Sequence, residues 1–443
     1  MPAASAPPAP SQLAVCRHGT KERAMERRVV ITGVGAISPC GATTESSWAK
    51  VTKGESGIGR ITSFDPEGFA VQIAGECRDF DPEAYVEKKR LREMARFIHL
   101  TLGAAEQAVE SSGFEPDDAT KERTGTFVGV GMSGLDVIEE QHNRLRDKGP
   151  RRISPYFIPS AISNLAPGQV SMRWGYKGPS YTTTSACSSG AHAIGEAFHW
   201  IRRGGIDAAI AGGAEAAVTP LGVGGFASMR ALSKRNDEPE RASRPYDVDR
   251  DGFVIAEGAG LLVLEERDYA MRRGATIFGE IVGYGATADA YHLTQPAPEG
   301  EGAARAMRAA LADAAMNPAD IDYVNAHGTS TPAGDIKELE AAKAVFGDHA
   351  LARGSEGLWV SSTKSMTGHL LGAAGGLESV FSVLALHEGL VPPTANLDTP
   401  DPGAEGIELV PHVAKERALG AVLNNSFGFG GTNVSLVFRK HDG

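Results

Sequence analysis

Twice along this 443-residue chain a strand-like run enters a small polar turn and leaves it as an Ala/Gly-rich helix, and each turn carries a reactive side chain. In the first, the Thr-rich run 181–186 reads as a buried strand. Ala191, Ile194, Ala197, Phe198 and Ile201 follow at helical spacing, and Cys187 sits at the junction. In the second, the run from Trp359 to His369 precedes a helix with Ala373, Leu377, Val380, Phe381 and Leu384 on one face. The echo is one of pattern, not of identity. A strand–turn–helix unit used twice predicts two similar αβ halves packed together, with a site between them.

The junction bears on the chemistry of Cys187. Unpaired N–H groups at a helix start favour the thiolate, so a pKa below the usual value of about 8.5 is expected. The competing reading is a buried, inert cysteine, the common fate of a free Cys. Residues far downstream decide between them.

Strand patterns recur at 28–33, 125–130, 208–211, 276–284 and 321–325, with helical windows at 99–109 and 303–315 between them. The pattern restarts after Gly274, so residues 28–275 read as a first half carrying the cysteine and 276–443 as a second. Residues 1–27 read as a disordered arm: Pro/Ala-rich, then polar, without the apolar stretch of a signal peptide, and with Met25 as an alternative start. A hydrophobic content of 42% with 22% charged residues is that of a globular protein, and no apolar run is long enough to span a membrane. A net charge of −11 argues against general nucleic-acid binding. Cys16, Cys40, Cys77 and Cys187 lie far apart with no CxxC pairing, which excludes a disulfide framework and a structural zinc site and fits a reducing cytoplasm.

Three further motifs end strand-like runs: Asn325-Ala326-His327-Gly328-Thr329-Ser330-Thr331-Pro332, Lys364-Ser365-Met366-Thr367-Gly368-His369, and Asn424 to Asn433 with its Phe-Gly-Phe-Gly-Gly centre. Taken singly, a His after a strand is more often a hydrogen-bonded core residue, Lys364 a surface charge, and the glycine-rich loop a turn without a phosphate-cradle pattern. Their joint occurrence with Cys187 points to a catalytic site. A Cys protease would need His paired with Asn or Asp; a Cys-His-His set does not match that need.

These motifs, together with segments 149–164, 186–195, 211–226, 244–260, 325–335, 361–376 and 425–433, resemble the β-ketoacyl-[acyl-carrier-protein] synthases of the elongating, type II kind, among the thiolase-fold condensing enzymes. The resemblance runs from Arg28 to the C-terminus. It implies an α/β, thiolase-like fold of two duplicated αβαβα-type halves with layered sheets and helices. The implied reaction is decarboxylative Claisen condensation without a metal or other cofactor: an acyl group is carried on Cys187 and extended by two carbons from malonyl-acyl carrier protein. The implied enolate donors are His327 and His369, supported by Lys364, Glu378 and Asp335. The Cys187 and Phe429 N–H groups would form an oxyanion hole. Thr329 and Thr331 fall where the family binds the pantetheine arm, and Met132, Phe226 and Phe429 where it borders the acyl chain. Lys89, Arg92, Arg151, Arg152 and Arg230 match a carrier-protein docking rim, with Glu93 where the family carries a basic residue. A cytoplasmic homodimer binding neither nucleic acid nor membrane is implied. The alternatives are a polyketide ketosynthase on the same fold and a non-catalytic chain-length factor, the latter disfavoured by the intact Cys187, His327 and His369.

Overall fold

The computed structural model describes residues 27–352 and 354–442, so the expected N-terminal arm lies outside the described residues apart from its last position. Ten strands form the main sheet: β1 (Val29–Ile37), β2 (Thr124–Gly129), β3 (Ser180–Thr183), β4 (Ala208–Glu215), β5 (Gly258–Glu266), β6 (Gly279–Ala288), β7 (Tyr323–Asn325), β8 (Trp359–Ser361), β9 (Ala421–Gly428) and β10 (Thr432–Arg439). Their order is β8-β7-β9-β10-β6-β1-β5-β4-β2-β3. Each half therefore repeats one topology: β3-β2-β4-β5-β1 in the first and β8-β7-β9-β10-β6 in the second. The sense of pairing repeats too. β2 runs parallel to β3 and β4, while β5 lies antiparallel between β4 and β1. In the second half, β7 runs parallel to β8 and β9, and β10 lies antiparallel between β9 and β6. The two arrays are joined edge to edge by an antiparallel contact of Val29, Val30 and Ile31 with Ile281, Glu280 and Gly279, which makes the sheet continuous.

Six helices complete the layers. Helices α1 (Arg96–Ser112) and α2 (Leu165–Trp174) cover the outer face of the first half, and α4 (Glu301–Ala314) with α5 (Asp335–Phe346) that of the second. Helices α3 (Ser189–Arg202) and α6 (Ala374–Glu388) lie between the two arrays and touch each other. The sequence of α6 explains its place: residues 374–386 carry Glu378 as their one charged side chain and are all buried, as suits a helix in a core. Strands β1 and β5 are near-continuous buried runs, as strands covered on both faces must be.

The expected buried strand after Tyr181 is instead β3, an edge strand. Ser180 is exposed and Tyr181 to Thr183 are only half-buried, because among the described residues β3 pairs with β2 alone and has no neighbour on its other side.

Glycines at the starts of the two central helices set how closely the halves approach. A Cβ at Gly190 would lie 2.7 Å from the Gly376 nitrogen, and one at Gly375 would lie 2.8 Å from the Ala191 Cβ. A Cβ at Gly376 would stand 2.4 Å from the Gly213 nitrogen. Each contact is closer than any side chain permits, so α3 and α6 meet nearly backbone to backbone. Replacing Gly376 with Val should therefore lower stability by about 3 kcal/mol through overpacking. Gly225→Ala, where nothing lies within 4 Å of the new Cβ, should stay within about 1 kcal/mol of the parent. Thermal unfolding of both variants checks the contrast, and equal losses would contradict the close-packing account.

Candidate active site

The turn that holds Cys187 is built from strain and side-chain tethers. Ala186 adopts φ 51°, a left-handed conformation that costs a non-glycine residue roughly 1–2 kcal/mol. The Ser188 hydroxyl fastens the turn to the second half by donating to the carbonyls of Ser426 (2.9 Å) and Thr432 (2.8 Å). The Thr432 hydroxyl adds a bond to the Ser185 carbonyl at 2.9 Å. Gly428 must be glycine here, since a Cβ would come within 2.9 Å of that same carbonyl.

His369 arrives from the equivalent turn of the second half. The short helix Lys364–Thr367 ends at Gly368, whose φ of 71° suits glycine, and the next residue is His369. Its backbone is gripped on both sides: the His369 N–H donates to Val254 at 2.7 Å, and Ala256 donates to the His369 carbonyl at 2.9 Å. This grip places His369 Nε2 3.0 Å from Cys187 Sγ. His327 follows β7, its ring centroid 5.4 Å from that of His369 and nearly perpendicular to it at 86°. Phe253 and Phe427 pack against His369 and His327 at centroid distances of 5.3 and 5.7 Å.

Burial and one cation set the protonation states. Lys364 is 1% exposed and paired with buried Glu378. Burial, then the Lys364 charge, hold both imidazoles well below the ordinary histidine pKa, and the His369 ring lowers that of His327 further. Both rings are therefore neutral. Neither Nδ1 has a hydrogen-bond partner among the described residues. A proton on Nε2 leaves Nδ1 as the unsatisfied acceptor and gives His369 a donor facing the cysteine. Burial also pushes Glu378 up to about 7, with Lys364 opposing it.

The thiol departs from the sequence expectation. Cys187 precedes α3 by two residues and is 8% exposed. Burial pushes its pKa up to about 12, against the lowering effects of Lys364 and of the Phe429 backbone N–H bonded to it. Desolvation of the thiolate outweighs the expected gain from the helix start.

A cavity of about 460 Å³ opens over this cluster and is lined by Cys187, His327, Thr329, Thr331, Phe429 and Arg230, among others. The Thr329 and Thr331 hydroxyls are 3.1 Å apart. Asp335, at the cavity's edge and pushed up to about 6 by burial, accepts from the N–H groups of Tyr246 (3.0 Å) and Thr331 (3.2 Å) and so shapes the threonine loop. Phe226 packs behind the wall against Phe253 and Phe429, at centroid distances of 5.4 and 6.4 Å. Met132 does not line this cavity; its side chain is 40% exposed. Lys89, Arg92, Arg151, Arg152 and Arg230 are all exposed, with Lys89 paired to Glu87 at 2.7 Å and Arg90 to Glu93 at 3.5 Å.

Sequence reasoning missed two buried carboxylates. Glu338 on α5 accepts from the N–H groups of His327 and Gly328 at 2.8 Å each and from the Asn425 amide at 3.1 Å. Glu215 ends β4. Neither has a local pattern that announces it, since the partners come from other elements. Phe253 was visible within segment 244–260, but its packing on His369 was not. Cys187, His327 and His369 place one donor atom each within 4.8 Å of the others, a spacing that a metal ion could occupy. The buried Lys364 cation beside them opposes a second positive charge.

A protonated thiol makes a checkable statement. Alkylation of Cys187 by iodoacetamide should rise about ten-fold per pH unit from pH 6 to 9, because the thiolate is the nucleophile and its fraction keeps growing below the thiol pKa. Peptide mass spectrometry reads the rate, and a plateau below pH 8 would show a stabilised thiolate instead.

Two sequence families divide the chain: "Beta-ketoacyl synthase, N-terminal domain" matches residues 26–270 and "Beta-ketoacyl synthase, C-terminal domain" residues 278–398. The 3-oxoacyl-[acyl-carrier-protein] synthase 2 of Vibrio cholerae is 50% identical over 416 residues, covering 94% of this chain and 99% of that protein. Among solved structures, the ishigamide ketosynthase/chain length factor superposes with a TM-score of 0.87 at 34% identity, over 94% of this chain and 100% of its own. A type II polyketide ketosynthase in complex with its acyl-carrier protein gives 0.85 at 32% identity, with the same coverage. With both halves matched and half of the aligned residues shared with a relative covered almost from end to end, the chain belongs to the β-ketoacyl synthase family and has its thiolase-like fold.

Proposed function

We propose that this protein is an elongating β-ketoacyl-[acyl-carrier-protein] synthase of fatty acid synthesis, and that the pairing of a protonated Cys187 with two neutral imidazoles carries its chemistry. In the first half-reaction Cys187 Sγ attacks the thioester carbon of an acyl-carrier protein. The new C–S bond forms as the old one breaks, and the thiol proton leaves with the carrier's phosphopantetheine sulfur. The Cys187 and Phe429 N–H groups hold the transient oxyanion. Malonyl-carrier protein then binds with its thioester oxygen against the His327 and His369 N–H groups. The bond to the carboxylate breaks, carbon dioxide leaves, and the electron pair becomes an enolate held by those donors. The enolate carbon attacks the Cys187 acyl carbon and expels the cysteine thiolate, which takes up a proton. Histidines kept neutral by burial and Lys364 suit this role, because a donor must not be spent as a base.

The surroundings support a reading of the partners. Thr329 and Thr331 line the cavity where the pantetheine arm would enter. Arg151, Arg152 and Arg230 are positive groups on a chain of net charge −11, the kind of local patch that an acidic carrier protein needs. The open edge of β3 lies beside α2, and Met172, Ile158 and Ile162 expose apolar surface on neighbouring elements. This edge suits pairing with a second copy in a homodimer. Cys40, Cys77 and Cys187 are free thiols, which fits the reducing cytoplasm. Among the described residues no helix is long and apolar enough to cross a membrane.

Mass spectrometry of products from malonyl-carrier protein and acyl primers tests the reaction; absence of two-carbon extension would end this reading. The two halves of the chemistry should separate. Cys187→Gln should lose condensation yet still release carbon dioxide from malonyl-carrier protein, whereas His369→Ala should lose about 10²–10³-fold in decarboxylation as well. A folded Gln variant inert toward malonyl-carrier protein would contradict the division of labour. For docking, Arg151→Glu with Arg152→Glu should raise KM for carrier-bound substrates several-fold and flatten its salt dependence, with turnover of a free pantetheine thioester little changed. Equal losses on both substrates would remove these arginines from the carrier interface.

A further inference from the structure

Glu215 is fully buried at the end of β4, and no Lys, Arg or His pairs with it among the described residues. Its carboxylate is instead wrapped in backbone. Oε2 accepts from the N–H groups of Gly131 (2.9 Å), Met132 (3.2 Å) and Gly372 (3.1 Å), and Oε1 accepts a second bond from Met132 at 3.1 Å. Burial still pushes the group up to about 7 against these donors. Such a cradle needs glycine on both sides. A Cβ at Gly131 would lie 2.5 Å from Oε2, and one at Gly372 would lie 2.3 Å from the Gly131 nitrogen.

The two segments that meet on this carboxylate both belong to the site. Gly372 follows His369 by three residues, through Leu371, which is held at φ 49°. Gly131 and Met132 follow β2, and the next residue, Ser133, has φ 61°. Val130 in turn is bonded to the cysteine's own approach: its N–H donates to Thr183 at 3.1 Å, and its carbonyl accepts the Thr184 hydroxyl at 3.0 Å. Non-glycine residues in the left-handed region persist only where their surroundings hold them there. Glu215 is the group common to both strained turns.

We propose that Glu215 is a positioning residue that locks the Gly131–Met132 turn to the Gly372 turn, and so fixes the Cys187 approach relative to His369. The proposal rests on the condensing reaction above. The buried charge serves geometry here: a carboxylate is the one side chain able to accept from all these N–H groups at once.

The test uses the full-length enzyme and two substitutions. In Glu215→Gln the amide carbonyl takes the Oε2 place, where the Gly131, Met132 and Gly372 N–H groups converge, and its NH2 loses only the second Met132 bond, so both turns stay tied. Condensation kcat/KM should then fall by no more than about five-fold, the effect of one lost hydrogen bond. Decarboxylation of malonyl-carrier protein, read in the Cys187→Gln background, should stay within about two-fold. In Glu215→Ala both turns are released, and decarboxylation should fall by about ten-fold or more. A folded Gln variant whose decarboxylation falls about ten-fold or more overturns the proposal even if the Ala variant fails to fold, and so does a folded Ala variant that keeps the parent's decarboxylation. Failure of the parent enzyme to condense would sink the reaction assigned above, and the Ala arm, read on decarboxylation alone, would still judge Glu215.

Discussion

The near backbone-to-backbone meeting of α3 and α6 is the constraint on which the rest of the structure depends. Gly190, Gly375 and Gly376 allow the helix starts to approach within distances that no Cβ survives. The reactive residues of each half lie just before those starts, Cys187 before α3 and His369 before α6. Close approach of the helices is therefore also close approach of sulfur and imidazole, and the 3.0 Å contact between them follows from main-chain packing. A repeated topology supplies the two turns, and the glycines supply their separation. Rigid elements on both sides keep that distance from drifting, as a site that must hold near-attack geometry requires.

Bringing the turns together buries charge, and the site is organised around that cost. Lys364 and Glu378 pair beneath the histidines, while Glu338 and Glu215 form no ion pair among the described residues and rely on backbone and amide N–H groups. A buried cation without its partner would be strongly destabilising. With its partner in place, Lys364 keeps a positive field on the imidazoles and holds them neutral. The same field acts on the thiol in the opposite sense, favouring thiolate, yet desolvation exceeds it. One ion pair thus biases all three reacting groups.

The amount legible in the sequence follows from how local each signal is. The repeated strand–turn–helix pattern is a matter of adjacent residues, and it located the Cys187 and His369 turns that the structure brings together. The thiol pKa was misjudged because sequence shows a neighbouring helix start but not the depth of burial around it. The strand before Cys187 reads as buried from composition alone, whereas its edge position depends on which strands arrive later in the chain. Glu215 and Glu338 escaped because their donors come from segments distant in sequence. Met132 was placed by resemblance in the acyl wall, and the structure shows what its neighbourhood does locally: its N–H belongs to the Glu215 cradle while its side chain stays 40% exposed.

A protonated nucleophile beside neutral histidines also accounts for selectivity between substrates and bystanders. A thiolate–imidazolium pair would be reactive at all times, toward oxidants and alkylating agents as well as thioesters. Here burial raises the thiol pKa, which disfavours thiolate in the resting enzyme. In the mechanism proposed above, a thioester seated against the Cys187 and Phe429 N–H groups changes that balance: the thiol gives up its proton as sulfur attacks, and the negative charge develops on an oxygen that those two donors would hold. Donors so used act on the transition state and offer little to the resting enzyme. In that mechanism a thiol pKa raised by burial confines reactivity to the moment when the oxyanion can form.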